Sequence, residues 1–114
     1  MIDHEIQITV DTEHHRIDFS YRPTTVHVRQ GDRVHWVCPE GPFAVEFQDN
    51  TPCDRMGTHG ERGEAGWRSE SIPIRRNARG HFPYGGAVSL QNERFGRLVG
   101  RVALDAGCPE IIVD

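Results

Sequence analysis

The sequence predicts an all-β domain, a Greek-key antiparallel β-sandwich, on three observations. Apolar residues alternate with period two from one end of the chain to the other, turn-forming residues separate the alternating runs, and no stretch sustains a helical period. Each run reads as one face of a strand. In order they are Ile6, Ile8 and Val10; Ile17, Phe19 and Tyr21; Val26 and Val28; Val34 and Trp36; Phe43, Val45 and Phe47; Ile72 and Ile74; Phe82 and Tyr84; Val102 and Leu104; Ile111 and Val113. Between them stand Arg22-Pro23, Gln30-Gly31-Asp32, Pro39-Glu40-Gly41-Pro42, Asp49-Asn50-Thr51-Pro52, Arg79-Gly80 and Ala106-Gly107, where Gly, Pro, Asn and Asp supply turn geometry. About seven to nine short strands follow, and strands at this density favour a sandwich.

One segment breaks the alternation. From Asp54 to Gly66 the sequence DRMGTHGERGEAG is rich in Gly and charge and offers no apolar face, so a long surface loop is expected over residues 53–68. At 114 residues the chain fits one domain, residues 1–114, closing on the strand PEIIVD.

A net charge of −4 without runs of like charge argues against nucleic acid and against a polybasic membrane patch. All 13 basic side chains are Arg and none is Lys. No window has the uninterrupted apolar length of a membrane helix, and the amino terminus lacks the basic and apolar regions of an export signal; a soluble, cytoplasmic protein is the expectation. Three cysteines cannot all pair within one chain, which fits a reducing compartment.

The stretch VHVRQGDRVHWV, then GPFAVEF, then GRLVGRVAL resembles the cupredoxin family of blue copper proteins over about residues 20 to 114. The resemblance implies a copper site built from a His that opens one strand and from Cys, His and often Met in a loop before a Gly-x-Val-x-apolar strand. In this chain Phe43 stands at the first position. The segment Gly85–Leu98 (GGAVSLQNERFGRL) contains no Cys, His or Met, with Leu98 at the place of the axial Met and Glu93 or a neighbour at that of the second His. A blue copper centre needs a thiolate and two imidazoles, and Phe and Leu donate no lone pair. The expectation is therefore a copperless cupredoxin-like domain, with no cofactor. Fold and site are separable, so the scaffold argument survives the loss.

The function expected of such a scaffold is non-enzymatic: a protein-binding or scaffold module. Its contact surface would be an apolar patch of Pro42, Phe43, Phe95 and Leu98 rimmed by Glu93, Arg94 and Arg97, unless Phe43 and Leu98 fill the vacated volume as core. The alternative is a soft-metal site for copper or zinc from Cys53, Met56, His59 and Cys108, although no Cys-x-x-Cys pair is present. Cys38 follows Trp36 by two and should be buried beside it. His14 and His15 are adjacent and point to opposite faces, while His27 and His35 alternate with apolar neighbours and should be solvated. Residues 4 to 10 would serve as an edge strand through which two copies could pair.

Overall fold

Alternation becomes two sheets in the computed structural model, which describes residues 1–11, 18–92, 97–103 and 109–114, with side chains over 1–11, 19–89 and 109–114. The first sheet runs β2 (Asp18–Arg22), β1 (Asp3–Asp11), β4 (Arg33–Cys38), β8 (Gly66–Arg68) and β7 (Glu61–Gly63), with β9 (Ile72–Pro73) also on β4. The second runs β3 (Thr25–Val28), β12 (Glu110–Val113), β10 (Gly80–Asn92), β5 (Phe43–Phe47) and β6 (Gly57–His59), with β11 (Arg97–Ala103) beside β10. Among the described residues there is no helix, and so none long and apolar enough to cross a membrane.

The period-two residues meet between the sheets. Ile6, Ile8, Val34, Trp36 and Ile111 are fully buried, and Val10, Val28, Val45, Phe47, Phe82 and Val113 join the same core. Each such side chain contributes about 1.5–3 kcal/mol on leaving water. Tyr84 lies at the centre, its ring centroid 5.4 Å from Trp36, 5.5 Å from Tyr21 and 5.8 Å from Phe47, each pair edge to face. Cys38 is buried on the Trp36 face as its spacing predicts.

Four expectations need correction. The sheets are mixed rather than antiparallel, because β1 pairs with β4 and β12 with β3 in parallel. Period two specifies which face a residue occupies and carries no information on the direction of the neighbouring strand. Secondly, residues 4 to 10 are not an end strand of the sheet, although each half of β1 is paired on one side only among the described residues. β1 pairs through Asp3–Gln7 with β4 and through Gln7–Asp11 with β2, changing partner and side at Gln7.

Thirdly, the supposed loop over residues 53–68 supplies three short strands. β6 joins β5, and β7 and β8 form a hairpin that docks on β4 through Val37↔Arg68 and Cys38↔Trp67. Backbone pairing needs no apolar residues, and Trp67 alone anchors the hairpin against the core. Gly66 closes it at φ +116°, where a Cβ would come within 3.0 Å of Pro39 Cα. Finally, most of Gly85–Leu98 is not a ligand loop but strand: β10 reaches Asn92 and pairs with β11 from Gly86↔Ala103 to Asn92↔Arg97.

Candidate functional site

The strand β6 is a junction. It pairs with β5 through Ala44↔His59, Val45↔Thr58 and Glu46↔Gly57, and after the single residue Gly60 the chain enters β7 in the other sheet. Gly60 N–H donates to Phe43 O at 2.8 Å, and a Cβ on Gly60 would lie 2.1 Å from the Phe43 ring. Only glycine lets the chain turn this corner directly over the ring.

Two recesses flank the junction. On the solvent face of the second sheet, a trough of about 670 Å³ is lined by Ala44, Glu46, Met56, His59, Gly85 and Ala87. Its floor is small because residues 44, 85 and 87 have little or no side chain, which brings a bound molecule close to the sheet backbone. Glu46, Met56 and His59 are exposed along it.

At the corner itself, Arg55, Thr58, His59, Glu61, Arg62, Arg68 and Glu70 line a polar recess of about 480 Å³. Arg55 is engaged: its Nε donates to Asp54 Oδ1 at 2.9 Å and its Nη1 to Glu70. His59 Nε2 lies 3.5 Å from Glu61 Oε1. Arg62 stands cross-strand from Trp67, its guanidinium carbon 6.0 Å from the centroid of the Trp67 ring system, and forms no ion pair among the described residues. A guanidinium lying over an aromatic face keeps its in-plane N–H donors free for a further acceptor.

The sequence matches no family model and no curated protein. What the site does must therefore be read from its own residues.

The structure disperses the residues singled out in the sequence. Pro42 is half-buried and Phe43 is buried under Gly60, so Phe43 is core and not a contact residue. Arg97 and Leu98 belong to β11, with side chains outside the described residues; Glu93, Arg94, Phe95 and Cys108 lie outside them altogether. Met56 and His59 are exposed on the trough, whereas Cys53 is buried in the core and its thiol is pushed up to about 11, chiefly by burial. Cys53 is thus absent from the lining that Met56 and His59 share, and the three donors are not brought together. Burial likewise pushes Cys38 up to about 11. Among the described residues no group of three or more His, Cys, Asp or Glu is placed to hold a metal ion.

A second charged cluster, at the β1–β4 seam, overturns the expectation for His35. It is buried, with Nδ1 2.8 Å from Asp3 Oδ1 and Nε2 3.2 Å from Glu5 Oε1; Ser71 Oγ donates to Asp3 Oδ2 at 2.6 Å. Burial raises the Asp3 pKa, but the hydrogen bonds from Ser71 and His35 outweigh it and hold the carboxyl below its ordinary value. Beside it Asp32, also buried, accepts from His4 Nε2 at 2.9 Å and from the amides of Ile2 and Arg29 at 3.1 Å. The His4 bond is the main reason that its pKa falls to about 2. His27 is exposed, as its alternation predicts.

Proposed function

We propose that this chain is a non-enzymatic binding module that receives its ligand or partner segment at β6, on a Greek-key, cupredoxin-like scaffold without a copper set. The observation that carries this reading is the convergence of two recesses on one three-residue strand, one floored by Gly and Ala, the other lined by arginines. A flat sheet face would bury little of a ligand; two adjoining concavities offer both apolar contact and a few polar groups to orient it. Binding is favoured over catalysis because the two described thiols, Cys38 and Cys53, are buried and protonated at neutral pH, which removes them as nucleophiles. The soft-metal alternative retains only Met56 and His59 of its four donors as exposed groups among the described residues.

The test is a fragment and short-peptide screen read by amide shifts in ¹⁵N-labelled protein. Hits should move Gly57–His59 and Gly85–Ala87 and leave β3 and β12 still. Shifts confined to residues 93–98 would move the binding surface to that segment, and a titration with Cu(I) that shifts Met56 and His59 stoichiometrically would return the metal reading.

A further inference from the structure

We infer that the corner recess is a site for a phosphate monoester, with Arg62 as its principal contact. The inference rests on the binding-module reading and names the ligand chemistry of one of its two recesses. Arg55, Arg62 and Arg68 are among its lining residues, with Glu61 and Glu70, and Arg55 is held by Asp54 as well as Glu70. Glu70 is taken up by Arg55, and Glu61 stands beside His59. Arg62 is left without a carboxylate among the described residues, its face over Trp67 and its N–H edge free.

Thr58 adds a second donor. It pairs with Val45, which faces the core, so its side chain is on the inner side of β6, toward the corner; its hydroxyl makes no hydrogen bond among the described residues. A fork of parallel N–H groups and an adjacent hydroxyl suit a tetrahedral oxyanion. The shape of the group follows from the two donors. A carboxylate has two oxygens for the Arg62 fork, whereas a phosphate monoester has a third for the Thr58 hydroxyl. The recess, about 480 Å³, has room for the organic part of an ester beside its phosphate. The esterified carbon side would be directed toward the trough, because Thr58 and His59 line both recesses.

The experiment is an NMR titration at low salt, following amides together with the arginine Nε–H signals. The probes are O-phosphoserine and glucose 6-phosphate, for the two sources of a phosphate monoester, with acetate as the monoanion. Saturable shifts are expected at Thr58, Gly63 and the Arg62 Nε–H for at least one ester, and a preference between the two identifies the source. Acetate should bind about tenfold more weakly or less. Arg62→Ala should lower ester affinity about tenfold or more, and Arg62→Lys, which keeps the charge and loses the fork, several-fold. Arg76→Ala, at an exposed arginine outside the recess, should change nothing. Amide dispersion confirms that each variant is folded. Absent saturation, an equal response in Arg62→Ala, or acetate binding as well as the esters would each overturn the inference. If fragments still engage the trough in the same sample, the oxyanion site falls and the binding module stands.

Discussion

The β1–β4 seam and the β6–β8 corner are both charged, yet they use charge in opposite ways. At the seam every group is engaged within the fold: buried His35 lies between the exposed carboxylates of Asp3 and Glu5, and buried Asp32 collects two amides and His4. At the corner the arginines stand at the surface, and Arg62 and Thr58 keep donors that nothing in the described structure uses. Buried polar groups must be satisfied or they cost stability, whereas exposed donors are hydrated until a ligand replaces the water. The difference separates charges that hold this fold together from charges free to recognise something outside it.

Breaking the seam should give the largest effects. Asp32→Ala strands the Ile2 and Arg29 amides and frees His4, and should cost about 3 kcal/mol in urea unfolding; a loss below about 1 kcal/mol would show that water replaces the carboxylate without penalty. Acid should act on the same group. Its folded pKa is about 2 against an ordinary 3.8, so its contribution is fully present above about pH 4 and is lost as pH falls through 2. That contribution is on the order of 2 kcal/mol, and the corresponding slope of stability against pH should vanish in Asp32→Asn. His35→Gln breaks the paired contact of one ring with both Asp3 and Glu5, and should cost about 1 kcal/mol by thermal or urea unfolding. At the corner, Arg62→Ala should change unfolding free energy by less than about 0.5 kcal/mol. A large loss there would erase the distinction between the two clusters.

Much of the fold was legible because burial follows alternation. Ile6, Ile8, Val34, Trp36, Val45, Phe47, Ile111 and Val113 are core residues as their spacing predicts. Strand direction was not legible, since parallel and antiparallel neighbours leave the same period. The segment from Gly57 to Arg68 was missed because its strands are built on backbone pairing with one large apolar anchor, Trp67. Its available signal was the pair of residues Arg62 and Trp67 set symmetrically about Gly63-Glu64-Ala65-Gly66, a short hairpin turn. His35 was misplaced for a different reason. Alternation correctly put it on the face away from the core, but its cover comes from Asp3 and Glu5 on a strand about thirty residues earlier, and no local pattern announces that pairing. For the site, Met56 and His59 were recognised as candidates but grouped with Cys53, which points into the core; sequence proximity in a tight turn does not fix which side of the sheet a side chain faces.

The placement of the two tryptophans has an optical consequence. Trp36 is sealed in the core among Phe47 and Tyr84, while Trp67 is half-buried beneath the Arg62 guanidinium at the corner. Emission from the first reports whether the two sheets are still packed. Emission from the second responds to whatever draws the cation off the indole, so one unlabelled sample, with Trp67→Phe as its reference, distinguishes loss of the fold from occupation of the corner.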